Sequence, residues 1–166
     1  GTDMSNANTT STEVKKGQRM IVRIQVDNTG ATSTDVYKLQ YDKNDGNWTD
    51  VKRQGEIHYN RSYSGRDGDT IPYPAAGSCQ GGTTWTDGEF YENRNRTDAF
   101  TIGYYKCTEF GFLIDTSSST VGTTYRLRLI NLTSSSTLDT YTYYPAFTIV
   151  DSANDSRVNN SKGRII

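Results

Sequence analysis

The sequence predicts an all-β protein, an antiparallel β-sandwich of immunoglobulin-like or jelly-roll type with almost no helix. One observation is the composition, with 24 Thr, 12 Tyr, 10 Ile and 8 Val against only 6 Leu and 7 Ala. β-Branched and aromatic side chains suit a pleated sheet, and their restricted χ1 angles disfavour helices. The other is a series of short alternating segments separated by turn residues, which is typical of a sandwich. A jelly roll is the second choice.

Apolar residues at every second position identify the strands and their inward faces. The strands are expected at residues 20–26, 35–41, 47–52, 99–104, 105–115, 125–132 and 139–150, with a weaker candidate at 56–63. Four inward-facing sets follow from the alternation: Val22, Ile24 and Val26; Tyr37, Leu39 and Tyr41; Phe110, Phe112 and Ile114; Tyr125, Leu127 and Leu129. The last strand is expected to bend at Pro145.

The domain organisation expected is one sandwich domain over residues 18–150 between two polar ends. Residues 1–17 contain few bulky apolar side chains and are predicted to be a flexible arm, and residues 151–166 a polar tail. Within the domain, residues 64–88 are rich in glycine and hold two of the three prolines, Pro72 and Pro74. This composition predicts a long ordered loop.

The two cysteines, Cys79 and Cys107, are expected to form a disulfide in an extracellular chain. Such a bond closes a loop of about 28 residues and contributes roughly 3–4 kcal/mol in the loop-entropy model. Two buried free thiols are the alternative, which suits a cytosolic protein. Two cysteines and one histidine are too few for a structural zinc site.

Seven Asn-x-Ser/Thr triplets occur in the 166 residues, and random placement of 12 Asn and 39 Ser and Thr would give about 2.8. This triplet accepts N-linked glycan in chains that leave the cytoplasm. We therefore expect an extracellular, secreted or cell-surface glycoprotein, although a surface rich in Ser, Thr and Asn also produces such triplets. The candidate acceptors are Asn8, Asn47, Asn60, Asn95, Asn131, Asn154 and Asn159.

Charge and motifs argue against several functional classes. The net charge is −1, without the basic patch that nucleic-acid binding requires. No apolar run is long enough to span a membrane as a helix. The single histidine, His58, lies in a polar strand segment and is expected to be structural. We expect no enzyme activity, catalytic residue, metal or cofactor, although a pair of carboxylates across a cleft stays open.

Two acidic turns resemble cation-binding loops without matching their spacing. Residues 42–46, Asp-Lys-Asn-Asp-Gly, lack the spaced acids and distal Glu of a calcium loop, and residues 66–69 receive the same interpretation. We expect plain turns in which Asp and Asn accept local backbone hydrogen bonds and Gly takes a positive φ.

The aromatic side chains have two interpretations. Twelve tyrosines together with Trp48 and Trp85 can build the core and its cross-strand pairs. They can also form a stacking platform for sugars at a wet surface. At least one of Tyr141, Tyr143 and Tyr144 must face outward, because strand side chains alternate.

Three segments carry a family resemblance: residues 37–41 (YKLQY) leading to 47–51 (NWTDV), residues 122–129 (GTTYRLRL), and residues 139–149 (DTYTYYPAFTI). Together they resemble immunoglobulin-like modules of secreted prokaryotic surface and filament proteins, over about residues 18–150. The resemblance implies a non-enzymatic cell-surface role and supplies no defined binding residues. The loop at 64–88 and both polar ends depart from it.

The function expected is that of a structural subunit of an extracellular, glycosylated, pilus-like filament or surface assembly. Subunits would self-associate when an arm of one adds as a strand to an exposed sheet edge of the next. Either end of the chain is a candidate arm. The alternatives are a carbohydrate-binding or adhesin module and a viral surface or decoration protein.

Overall fold

The computed structural model describes residues 10–60, 67–71, 79, 84–91, 96–138 and 144–152. These residues form strands and turns only, which confirms the predicted all-β class. No described segment forms a helix long and apolar enough to cross a membrane.

Two six-stranded sheets and one two-stranded sheet account for the described strands. Several of the strands are only two residues long and pair with a longer neighbour. In chain order the strands are β1 (Thr10–Lys15), β2 (Arg19–Asn28), β3 (Ser33–Asp35), β4 (Tyr37–Asp42), β5 (Thr49–Asp50), β6 (His58–Tyr59), β7 (Thr70–Ile71), β8 (Thr84–Trp85), β9 (Gly88–Tyr91), β10 (Phe100–Ile102), β11 (Lys106–Asp115), β12 (Thr124–Asn131), β13 (Ser136–Thr137) and β14 (Ala146–Val150).

The first sheet has the order β1-β14-β12-β4-β5, and β13 also pairs with β12. All its pairs are antiparallel except β1 with β14, which run parallel. The second sheet has the order β2-β11-β9-β7, with β6 and β8 also on β11. Here β8 and β9 run parallel to β11. The sandwich is therefore mainly, and not purely, antiparallel.

The core lies between the two sheets and is rich in aromatic rings. The ring centroids of Tyr37 in the first sheet and Phe110 in the second lie 5.0 Å apart. Within the first sheet, the rings of Tyr125 and Phe147 stack with their centroids 5.7 Å apart. The predicted inward sets on β4, β11 and β12 are all buried, and on β2 Ile24 is only partly buried. Alternation therefore identified the inner faces correctly.

The predicted arm at residues 1–17 is wrong over its last part. Thr10–Lys15 form β1 and pair with β14 in the first sheet, and Val14 lies in the core. Among the side chains of β1 that the structure describes, only Val14 is buried, so the segment gives a weak alternating pattern in the sequence. Residues 1–9 lie outside the described part, as do residues 153–166 of the predicted tail.

The predicted loop at 64–88 also needs correction. Its described residues include β7, β8 and the start of β9, which complete the second sheet. Their length of two to four residues is too short for a periodic signal. These strands pair with residues far along the chain. The local sequence, rich in glycine and proline, therefore does not predict them.

Glycines let β9 approach β11 closely. A methyl group at Gly111 would lie 2.3 Å from the ring of Phe90, its partner across the parallel pair. A methyl group at Gly88 would lie 1.7 Å from the backbone oxygen of Glu109. Both positions show a backbone approach that excludes a side chain, which is one reason for glycine inside a strand.

We expect Gly111→Ala to destabilise the protein by about 1–3 kcal/mol, because the added methyl must displace the Phe90 ring that packs on this glycine. Gly30→Ala is the control, since its nearest contact would be an ordinary 3.6 Å from Asn28 Oδ1. Chemical denaturation of both variants measures the difference. Equal stability of the two would show that the strands do not pack as described.

Candidate functional site

The cysteines form the predicted disulfide. Cys79 and Cys107 are bonded, with their Cα atoms 5.9 Å apart, and Cys107 at the start of β11 is fully buried. The bond ties the 64–88 region to β11 where Trp85 pairs with Cys107. Among the described residues, the group with metal-ligating potential is Asp27 beside these two sulfurs. Because both sulfurs are covalently paired, this group offers no thiolate ligand.

Three of the seven glycan acceptors lie in the described residues. Asn47 is exposed at the end of the 42–46 turn, and its backbone N–H donates to Asp45 Oδ1 at 2.9 Å. Asn60 is only 3% exposed and Asn131 is 9% exposed. Asn47 therefore has the surface that a glycan needs, whereas the other two offer little in the folded state. Acceptors outside the described residues are Asn8, Asn95, Asn154 and Asn159.

Asn131 has a structural use of its own at the end of β12. Its Oδ1 accepts hydrogen bonds from the backbone N–H groups of Thr133 and Ser134 at 2.8 and 3.2 Å. The hydroxyl of Thr133, the third residue of the triplet, accepts from the N–H of Val36. This triplet therefore closes a turn, and glycan occupancy at all seven acceptors stays a prediction.

The 42–46 segment is the predicted turn. Asp42 accepts hydrogen bonds from the N–H of Asn44 at 2.8 Å and of Gly46 at 2.9 Å, and Gly46 has a φ of +84°. Both Asp42 oxygens are also bonded by Arg126 on β12, with Nε at 2.8 Å from Oδ1. The second predicted turn, around Asp67, has Gly68 at a φ of +83°; Arg66 lies outside the described residues.

Arg126 holds Asp42 ionised. The hydrogen bonds from its guanidinium are the largest influence and lower the pKa of Asp42; burial opposes them, and the two backbone N–H groups of the turn add to them. The same pair raises the pKa of Arg126. The Asp42 carboxylate therefore has a structural role: its hydrogen bonds connect the 42–46 turn to β12.

The outer face of the first sheet carries a ladder of cations and aromatic rings. The Arg128 guanidinium lies 4.1 Å from the centre of the Trp48 ring, and Arg126 lies 5.3 Å from that of Tyr144. Trp48 and Tyr144 are 4.9 Å apart. These are distances for cation–π attraction. An arginine already covers Trp48, which reduces the ring surface available to a sugar.

Hydrogen bonds continue this ladder across β4 and β5. Arg128 Nε donates to Gln40 Oε1 at 2.9 Å, and Gln40 Nε2 donates to Asp50 Oδ1 at 2.8 Å. Lys38 Nζ lies 2.7 Å from Asp50 Oδ2. The outward polar side chains of three neighbouring strands therefore form hydrogen bonds and an ion pair with one another across the sheet surface.

The two tryptophans do not form one platform. Trp48 precedes β5 in the first sheet, whereas Trp85 lies in β8 of the second sheet and donates from Nε1 to Asp87 at 3.0 Å. Of the three tyrosines near the end of the chain, Tyr144 contacts Trp48, and Tyr141 and Tyr143 lie outside the described residues.

His58 sits at the start of β6 with ordinary structural contacts. Its Nδ1 lies 3.1 Å from the backbone oxygen of Gly55, and its Nε2 lies 3.9 Å from Asp115 Oδ1. Burial acts to raise the pKa of Asp115, but hydrogen bonds from Ser117 and the nearby charges of His58 and Arg19 lower it overall. The expectation that the protein is not an enzyme stays a prediction.

An exposed pair of rings in the turn between β10 and β11 was not singled out from the sequence. Tyr104 and Tyr105 lie between β10 and β11 and are 62% and 44% exposed. Tyr105 has a φ of +52°. The only signal in the sequence is two adjacent tyrosines where the predicted strands 99–104 and 105–115 meet, since the pattern does not reveal the backbone angle.

No family model, curated protein or solved structure matches this chain. The resemblance to immunoglobulin-like surface modules therefore rests on the sequence motifs alone.

We expect Asp42→Asn to lower the free energy of unfolding by about 1–3 kcal/mol at pH 7, because charge-assisted hydrogen bonds to Arg126 are lost. A lowered folded pKa contributes stability above the unfolded value, about 3.9, and that stability disappears as pH falls through the folded pKa. The difference from wild type should therefore shrink below about pH 4.

Asp45→Asn is the control for this variant. Asp45 is exposed, and the bonds to its carboxylate are local ones from the backbone N–H and the side chain of Asn47, so its replacement removes no contact with Arg126 on β12. Denaturation curves between pH 2 and 7 compare the two. A difference for Asp42→Asn that does not vary with pH would contradict a structural role of its charge.

Proposed function

We propose that this protein is a non-enzymatic structural subunit of an extracellular, glycosylated filament or surface assembly. In this assembly β1 of one copy pairs with β14 of the next. The observation that carries the proposal is the place of β1, which is the outermost of the described strands of the first sheet and pairs, among them, with β14. An edge strand is the element that sandwich proteins can most easily exchange.

Little of the described part of β1 is packed in the core. Among its residues with described side chains, Glu13 and Lys15 are exposed, and Val14 is buried at 2% exposure. Burial of one valine contributes only about 1.5–3 kcal/mol. The backbone pairing with β14 runs in parallel, with Glu13 opposite Thr148 and Val14 opposite Ile149. A second copy of β1 can make the same bonds and fill the same core position.

The connection between β1 and β2 is a suitable hinge. It consists of three residues, Lys16 to Gln18, and Gly17 has a φ of +82°. In the closed form the N–H of Gln18 donates to the oxygen of Lys15 at 3.0 Å. Opening this tight turn would extend β1 away from its own β14. Repeating the exchange from copy to copy gives an open, head-to-tail filament.

The extracellular setting is supported by two features. The Cys79–Cys107 disulfide is typical of oxidising compartments. The excess of acceptor triplets includes Asn47, which is exposed on a turn of the first sheet. Asn8 lies two residues before the first residue of β1, so a glycan there must stay outside the interface between copies.

Cysteine trapping tests the exchange. In the variant Glu13→Cys/Thr148→Cys the two thiols face each other across β1 and β14. Neighbouring strands lie about 4.8 Å apart, within the range of a disulfide. If β1 is exchanged, oxidation of assembled protein gives a ladder of linked chains on a non-reducing gel, and electron microscopy shows filaments.

The single variants Glu13→Cys and Thr148→Cys control for random oxidation and should give no ladder beyond dimers. A double variant that is oxidised only within one chain under every native condition, together with the absence of any assembled particle, would contradict the proposal.

The hinge gives a second prediction. Gly17→Ala strains the closed turn, because an alanine at positive φ costs roughly 1–2 kcal/mol, and the extended form releases this strain. The exchanged fraction should therefore rise about tenfold. Gly46→Ala is a matched control, since Gly46 has a φ of +84° and, like Gly17, no atom within 4 Å of an added methyl.

Size-exclusion chromatography with light scattering measures the exchanged fraction. Gly46→Ala should be destabilised by a similar amount without a change of assembly. If both variants assemble equally, the effect comes from general destabilisation and not from the hinge.

A further inference from the structure

The tip of the turn that joins β10 to β11 presents two aromatic rings to solvent. Tyr104 and Tyr105 are the exposed large aromatic side chains of the described residues, at 62% and 44%. Their ring centroids lie 4.5 Å apart in an edge-to-face arrangement. Exposed tyrosines that contact each other form a small continuous surface with hydroxyl groups at its rim.

The backbone of the tip is held in a conformation that does not suit tyrosine. The N–H of Lys106 donates to the oxygen of Gly103 at 3.2 Å and closes a tight turn. Tyr105, the third residue of this turn, has a φ of +52°, where glycine or asparagine is the relaxed choice. Strained residues of this kind concentrate at functional sites. Solvent exposure gives this ring no packing role that would explain the strain.

The tip is rigidly supported from three sides. Asn28 Nδ2 donates to the oxygens of Ile102 and Gly103 at 3.0 and 3.1 Å. The N–H of Tyr104 donates to Thr32 Oγ1 at 3.1 Å, and the oxygen of Tyr105 accepts from the N–H of Thr84 at 2.9 Å. The disulfide follows directly at Cys107. The two rings are therefore preorganised, which reduces the entropy that binding would cost.

The exposed area decides which kind of partner fits. A tyrosine side chain offers roughly 150–250 Å², so the exposed parts of the two rings amount to on the order of 200 Å². A stable protein interface needs about 800 Å² on each partner. The ring surface alone is far too small for such an interface, and it matches the apolar face of one or two sugar rings.

The surroundings favour a neutral ligand. Thr32, Thr84 and Thr101 are exposed near the tip and carry hydroxyl groups suited to sugar hydroxyls. Lys106 is the cation of the turn, and its Nζ already donates to Thr84 Oγ1 at 2.8 Å. Stacking of nucleobases would require a basic groove along the tip. We propose that Tyr104 and Tyr105 form a stacking site for a neutral carbohydrate, a site separate from the assembly edge at β1.

The test uses the full, disulfide-bonded chain with maltotriose, cellotriose and chitotriose as probes, each titrated to about 10 mM and followed by tyrosine fluorescence and NMR. We expect at least one probe to bind. Tyr104→Ala should weaken it by about 5- to 100-fold, the range found for loss of one aromatic stacking partner. Trp48→Ala is the control and should bind within about twofold of wild type.

A pair of variants at Tyr105 separates binding from folding. Tyr105→Gly and Tyr105→Ala both remove the ring and should both lose binding. Only glycine relieves the positive φ, so Tyr105→Gly should unfold about 2–8 °C higher than Tyr105→Ala. Loss of binding in a variant whose stability is retained supports a binding role.

Three results would overturn the proposal. They are the absence of binding to every probe, unchanged binding in Tyr104→Ala, and a loss of self-association in Tyr104→Ala measured by sedimentation. The last would make the tip a contact between copies. The sugar titration is repeated on the Glu13→Cys/Thr148→Cys protein after oxidation within one chain. This protein cannot exchange β1, so its sugar binding is measured without assembly through β1.

Discussion

The strand β11 is the element on which the rest of the structure depends. Its ten residues, Lys106–Asp115, pair with β2 along one side, and on the other side with β8, β9 and β6 in succession. A backbone buried on both faces must have all its N–H and C=O groups bonded. Three short segments from distant parts of the chain supply those bonds on one side, so β11 determines where each of them lies.

This arrangement explains the glycines and the disulfide together. Gly111 and Gly88 allow the backbones and the Phe90 ring to approach β11 more closely than a side chain would permit. The Cys79–Cys107 disulfide ties the region before β8 to the start of β11. A covalent bond and close packing thereby compensate for segments that are too short to pair stably alone. The turn that carries Tyr104 and Tyr105 immediately precedes β11.

The edge of the first sheet that β1 forms is held by fewer contacts among the described residues. β1 has one paired neighbour and one described core side chain, Val14. On the outer face of the first sheet, the Asp42–Arg126 pair and the Trp48–Arg128 contact join neighbouring strands. The second sheet is therefore fixed by β11 and the disulfide, and the proposed exchange of β1 depends on the smaller number of described contacts that hold that strand.

The sequence by itself determined the all-β class, the inner faces of β2, β4, β11 and β12, the disulfide and the turn at Asp42. These depend on local alternation, on a cysteine count and on turn chemistry, all of which are written within a few residues. Only the tertiary structure decided that Thr10–Lys15 join the sheet, that the 64–88 region contains strands, and that Trp48 lies under an arginine while Tyr105 is strained and exposed. Those features arise from pairing between residues far apart in the chain, where a two-residue strand or a single φ angle leaves no periodic trace.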